Sequence, residues 1–190
     1  YHQEKNRWGE AYSSYAFTHA DRVRVSPIEG CSITCAFCDL PYELRYRRKR
    51  VDGIIDAIRQ ACSDPVQPAH HVLISGGTPR KEDYGYLSEA YEEVLGNFGR
   101  VPIDVMMVPM EGLIDIEKLS QLGLNELSIN LEIWDESISR RLMPRKHAQG
   151  RDYYLTFIER SVQVFGRNRV RSMLLVGLEP LEATIQGIIA

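Results

Sequence analysis

Residues 30–38 read GCSITCAFC and set Cys31, Cys35 and Cys38 at the spacing C-x3-C-x2-C. Three thiolates on one short loop can hold a metal centre. They fall one short of the four protein ligands that iron–sulfur clusters and structural zinc sites normally take. A closed site only holds structure. A site with an open coordination position can bind and activate a small molecule, which makes this loop a candidate for catalysis. Two plainer readings stand beside that one. The cysteines can be buried small hydrophobes, or part of a zinc site completed by His19, His70 or His71.

Outward from the loop, apolar strand-like runs alternate with helical periodicity. The runs are Val23–Pro27, His71–Ser75, Ile103–Val108, Glu126–Leu131 and Val170–Val176. They are rich in β-branched and aliphatic residues with little polar alternation, the pattern of strands covered on both faces. Between them, Val51, Ile54, Ile55, Ile58 and Ala61 share one helical face, as do Tyr84, Leu87, Tyr91, Val94 and Leu95. Further helices are predicted over Ile116–Leu122, stopped by Gly123, over Asp152–Phe165, stopped by Gly166, and over Leu181–Ile189 after Pro180. Alternating strands and helices imply a parallel sheet of about five β/α units. Cys62 lies on the apolar side of its helix and reads as core.

Parallel α/β sheets bind ligands at the carboxyl ends of their strands. The unusual residues of this chain fall there. Cys31–Cys38 follows the first strand and Ser75-Gly76-Gly77-Thr78-Pro79 the second. Asn130-Leu131-Glu132 ends the fourth, and Val176-Gly177-Leu178-Glu179-Pro180 ends the fifth. Each has an ordinary reading as well. A double glycine suits a turn that needs positive φ, and Asn130 and Glu132 can bond each other or a neighbouring helix. Glu179 can cap the helix after it.

The cysteine spacing, with Phe37 as the aromatic residue before the last cysteine, resembles the cluster loop of the radical S-adenosylmethionine (SAM) superfamily. The resemblance covers Val23 to about Ile189 and has biotin-synthase-like features. It implies a partial (β/α)6-type barrel of which about five units are present. In this reading residues 1–22 are an N-terminal extension and 23–190 a core lacking its C-terminal end. The chain also starts without an initiating Met, and Ala190 is expected to end a fragment or an ordered region.

The same resemblance implies a [4Fe–4S] cluster on Cys31, Cys35 and Cys38, whose fourth iron is chelated by SAM. Gly76 and Gly77, with Thr78 where Glu is common, resemble the family's GGE motif at the SAM amino group. Asn130 and Glu132 look like its ribose-binding pair, and Phe37 and Leu178 would flank the adenine. One of Arg140, Arg141, Arg145 and Lys146 would meet the SAM carboxylate. The implied activity is reductive SAM cleavage to a 5′-deoxyadenosyl radical that abstracts hydrogen from a small-molecule substrate, with RNA or a peptide as alternatives. The implied partner is an electron donor such as flavodoxin or ferredoxin.

Composition bounds these readings. The 190 residues are 44% hydrophobic and 26% charged, ample for a core. No run approaches the roughly 18 apolar residues of a membrane span. Three clustered cysteines and a separate Cys62 argue for a reducing, cytoplasmic setting over a disulfide framework. A net charge of −3 argues against a globally nucleic-acid-binding surface. The basic run Arg45–Arg50 keeps one rival open, a zinc-stabilised nucleic-acid-binding module.

Overall fold

The β-branched runs do form strands, and their register separates two chemically different faces. A computed structural model describes residues 4–190. Antiparallel β1 (Ala16–His19) and β2 (Arg22–Val25) come first, then β3 (Ile28–Glu29), the cysteine loop, α1 (Leu40–Glu43) and β4 (Arg47–Arg48). The chain continues through α2 (Val51–Cys62), β5 (His71–Ser75), α3 (Tyr84–Asn97), β6 (Ile103–Met107), α4 (Ile116–Gln121) and β7 (Glu126–Ile129). It ends with α5 (Glu136–Leu142), α6 (Pro144–His147), α7 (Arg151–Phe165), β8 (Val170–Arg171) and α8 (Leu181–Ile189). The main sheet has the order β1-β2-β5-β6-β7-β8, and every pairing from β2 onward is parallel.

The register aligns Val25, Ile74, Val105, Leu127 and Val170 in one row across the sheet. Paired residues share a face, and so do residues two apart along a strand. Val23, Val72, Ile103, Met107 and Ile129 therefore lie on that same face, and all are buried in one core with Ile54 and Ile58 of α2 and Leu87 and Val94 of α3. The opposite face carries Arg24, Ser75, Asp104 and Ser128. The strands are thus not uniformly apolar. Each puts its branched residues under the helices and its few polar ones into the lumen.

At the amino-terminal pole of that inner face, Asp104 is 1% exposed and fully engaged. His71 Nε2 lies 2.9 Å from its carboxylate, Asn125 donates to it at 2.8 Å, and Arg171 at 3.1 Å. A buried carboxylate needs such partners, and this end of an α/β barrel usually serves stability.

Three expected elements differ. The fifth strand shrinks to Val170–Arg171 because the Ser172 hydroxyl, not a main-chain carbonyl, accepts from the Leu131 N–H at 3.1 Å. Pairing resumes only as an isolated bridge between Glu132 and Leu174. The fourth strand stops at Ile129, so Asn130 and Glu132 lie beyond it. On the amino-terminal side, Ala16–His19 adds an edge strand, and Tyr12, Tyr15 and Ala16 are buried in the main core. Gly53 of α2 makes room for the Tyr15 ring, since a Cβ there would sit 2.5 Å from ring carbons.

Candidate active site

The cysteine loop is stitched to the loop after β5 on one side and to the α5–α6 segment on the other. Ser32 N–H donates to the Thr78 carbonyl at 2.9 Å, and the Ser32 hydroxyl donates to that of Pro79 at 2.9 Å. Thr78 N–H in turn donates to Cys31 Sγ at 3.1 Å. Across the loop, Ala36 N–H donates to the Leu142 carbonyl at 2.7 Å, and Arg145 donates to the Ser32 carbonyl at 3.2 Å. A hydrogen bond to a metal-ligating sulfur tunes a cluster's potential. The Thr78 main chain would be such a group if Cys31 ligated a cluster.

Close approach, not a left-handed turn, is what demands glycine after β5. Neither Gly76 nor Gly77 is among the residues with positive φ. A Cβ on Gly77 would lie 2.7 Å from the Gly30 carbonyl carbon and 2.8 Å from Cys31 Cα. One on Gly76 would lie 2.9 Å from Ser26 Cβ. The two loops touch through bare backbone. Gly30 itself has φ +69°, so the turn into Cys31 does need glycine.

Cys31, Cys35, Cys38, Phe37, Gly76, Gly77, Thr78, Asn130 and Glu132 all line one cavity of about 170 Å3. Leu178 does not. It packs behind the loop in a small apolar cluster with Cys35, Phe37, Ile133 and Met143. Cys35 is buried, and desolvation pushes its thiol up to about 11 against the pull of nearby Lys146. Cys31 and Cys38 are half-buried.

Asn130 and Glu132 do not bond each other. The Asn130 side-chain Oδ1 accepts from the Ser128 hydroxyl at 2.8 Å, and Glu132 pairs with Lys146 at 2.6 Å. Glu132 holds φ +69°, a left-handed conformation uncommon for a residue with a Cβ. That backbone turn, not strand alternation, aims its carboxylate into the cavity beside Asn130. Among the four basic residues singled out downstream of β7, only Lys146 lines the cavity and is buried. Arg145 is spent on the cysteine loop, and Arg140 faces His147 at 3.3 Å.

Glu179 has a role the sequence reading did not reach. It is buried and accepts from the N–H groups of Trp134 and Asp135 at 2.8 and 2.7 Å, and from the Thr184 hydroxyl at 3.0 Å. It ties the chain entering α5 to α8 instead of capping α8.

The donor set can be tested against the metals it suggests. Among the described residues, no three His, Cys, Asp or Glu side chains converge to hold a single ion. The histidines offered to zinc lie at the wrong pole. His71 opens β5 and contacts Asp104, His70 precedes it, and His19 pairs with Arg22 at the start of β2. A [4Fe–4S] cluster takes one thiolate per iron, so its ligands ring a cavity instead of converging on a point. Cys31, Cys35 and Cys38 likewise line one cavity without converging on a single point. Three of the five basic residues in Arg45–Arg50 make intramolecular contacts at the surface. Arg47 pairs with Glu29, Arg48 lies 3.4 Å from Asp83, and Arg50 stacks over Trp8 at 5.0 Å.

Comparison with known proteins bears on the fold and the family. Two solved structures of HydG, a maturase of the [FeFe]-hydrogenase, superpose on the chain. One is 14% identical with a TM-score of 0.64, covering 84% of this chain and 36% of its own. The other, from Carboxydothermus hydrogenoformans, is 18% identical with a TM-score of 0.67, covering 88% and 39%. A radical SAM methyltransferase from Sphaerobacter thermophilus is 17% identical with a TM-score of 0.68, covering 90% of this chain and 53% of its own. The chain thus spans about a third to a half of each of these structures. At such identities the likeness establishes the fold, a partial barrel built on a parallel sheet. No curated protein matches the chain in sequence. The family description "Radical SAM superfamily" matches residues 25–185. The chain therefore belongs to the radical SAM superfamily, enzymes that use a [4Fe–4S] cluster and SAM.

Proposed function

We propose that Cys31, Cys35 and Cys38 each ligate one iron of a [4Fe–4S] cluster, and that SAM completes the fourth. When bound, the cluster supplies the electron that cleaves SAM reductively to a 5′-deoxyadenosyl radical, which abstracts hydrogen from a small-molecule substrate. The chain's residues bind, orient and exclude water. The main chain of Gly76, Gly77 and Thr78 receives the SAM amino group, and the Lys146 ammonium its carboxylate. Asn130 and Glu132 accept from the ribose hydroxyls. A carboxylate has about four acceptor positions, so Glu132 can hold Lys146 and a hydroxyl together. Phe37, which lines the cavity, packs against the adenine, while Leu178 supports the cysteine loop from behind. A flavodoxin or ferredoxin supplies the electron, in the cytoplasm. Residues 23–190 act as the core of a longer barrel and residues 1–22 as its extension.

The observation that carries this reading is the single cavity shared by the three cysteines, the Gly76–Thr78 loop, Asn130, Glu132 and Lys146. The test is anaerobic reconstitution with iron and sulfide, followed by SAM and dithionite. The expected result is visible cluster absorbance and 5′-deoxyadenosine. Ala at any one of Cys31, Cys35 or Cys38 removes both. Stoichiometric zinc with no 5′-deoxyadenosine, or an unchanged spectrum for Cys35→Ala, overturns it.

A further inference from the structure

The cavity at the cysteines shares a wall with a second, larger one. Arg24, Leu40, Ser75, Gly76 and Gly77 line both, and the second holds about 360 Å3. That volume falls in the range of small-molecule sites, roughly 300–1,000 Å3. Its chemistry is two-sided. Tyr15, Phe17, Leu40 and Leu44 give apolar wall, while Arg24 and Lys49 bring positive charge.

The backbone accounts for where those cations sit. On β2, Val23 and Val25 point under the helices, so Arg24 takes the lumen face. Lys49 follows β4 and keeps its ladder bond, its N–H donating to the Pro27 carbonyl at 2.9 Å. Arg48 turns to Asp83 and Tyr86 on the α3 side, so alternation sends Arg47 and Lys49 the other way. Arg47 is neutralised by Glu29, the acidic residue lining this cavity. Among the described residues, neither the Arg24 guanidinium nor the Lys49 ammonium has a hydrogen-bonding or ion-pair partner. Lys49 is also partly desolvated, which lowers its ammonium from the usual lysine value. Glu29 attracts the Lys49 ammonium without bonding to it and is already paired with Arg47, so Arg24 and Lys49 leave the cavity net positive, a potential that an anionic ligand group would neutralise.

We propose that this cavity binds the substrate, and that the substrate is a small acid with an apolar body whose carboxylate or phosphate is held by Arg24 and Lys49. The inference rests on the radical SAM reading of the adjoining cavity, because the shared Gly76–Gly77 wall sets such a ligand beside the SAM position. Arg24 supplies a bidentate fork and Lys49 a point charge, a pair that discriminates strongly against neutral analogues.

The probes are benzoate, phenyl phosphate and neutral benzyl alcohol, titrated by saturation-transfer NMR. They are applied to the cluster-free chain and again to the anaerobically reconstituted chain. Expected is saturable binding of one or both anions and none of the alcohol. The stronger of benzoate and phenyl phosphate assigns the acid group. Lys49→Met keeps the side chain's apolar stem and should weaken anion binding at least about tenfold, the effect of losing one hydrogen bond to a charged group. Lys49→Arg should restore most of it, and Arg24→Gln should weaken it similarly. Anion binding that Lys49→Met and Arg24→Gln both leave unchanged overturns the proposal. So does equal binding of the alcohol, or no binding at all. The cluster-free titration needs no SAM chemistry, so a failed 5′-deoxyadenosine assay and a failed anion titration are separate results.

Discussion

Gly77 shows how a single missing Cβ joins two loops. Its backbone lies against Gly30 and Cys31 so closely that any side chain would overlap main-chain atoms, which cannot swing aside. Gly77→Ala should therefore cost about 1–3 kcal/mol, the range of overpacking a tight site. It should also push the cysteine loop away from Thr78, weakening the N–H bond to Cys31 Sγ. Gly96 in α3 is a matched control, since nothing lies within 4 Å of a Cβ built there. Gly96→Ala should gain about 0.5 kcal/mol by restricting the unfolded chain. Urea midpoints for the two variants are expected to move in opposite directions, with iron uptake impaired only in Gly77→Ala. Equal midpoints would mean that the two loops separate at little cost. Glu132 carries a complementary lesson. It was expected to end the fourth strand, whereas it lies beyond β7 and its left-handed backbone turns it to Lys146.

The α5–α6 segment carries Lys146 into the cavity, and Glu179 fastens that segment to the chain before α8. Glu179→Ala leaves the Trp134 and Asp135 N–H groups and the Thr184 hydroxyl without their acceptor, an expected loss of about 1–3 kcal/mol. Because the tie is local, hydrogen exchange should accelerate across residues 134–149 and at the start of α8 while β5 and β6 stay protected. Uniform acceleration over the sheet would instead mean that Glu179 supports the whole fold. Legibility in the sequence divides along the same lines. α2, α3, α4 and α7 were readable from apolar residues three and four apart and from the glycines that stop α4 and α7, and α8 from Pro180 before it, although the Leu and Ile residues of α8 are exposed. α5 went unread although Asp135 caps it, accepting from Ile138 N–H at 2.9 Å, and Pro144 opens α6. The shortened β8 was not readable, since one Ser172 hydroxyl replaces a ladder carbonyl. The cysteine, glycine, Asn130 and Glu132 positions were legible because each is unusual for a strand end. Lys146 was not, because burial alone separates it from Arg140, Arg141 and Arg145.

Across the whole molecule, ionisable groups that stay neutral are gathered beneath the helices and around the cysteine loop, and this gives stability a direction with pH. Burial pushes Cys35 up to about 11 and Tyr15 and Tyr46 up to about 12, with hydrogen bonds to Glu10 and Asp83 reinforcing the two tyrosines. Desolvation raises Tyr86, Tyr91 and Tyr154 as well. In the unfolded chain a thiol ionises near 8.5 and a phenol near 10. Between those values and the raised ones, the unfolded state has released protons that the folded state keeps. Stability must then fall as pH rises. The contribution is complete below the unfolded values and is lost as pH climbs toward the folded ones. Lys49, lowered by burial, acts in the opposite sense, but it is one group against several. The cluster-free chain should hold a level urea midpoint from about pH 7 to 8 and lose it progressively from about pH 9 to 12. Cys35→Ala should flatten the first part of that descent, near pH 9 to 11, and leave the tyrosine part intact. A midpoint that stays level to pH 11 in the parent chain would mean that water reaches the Cys35 pocket freely, and would remove the reason for its raised thiol.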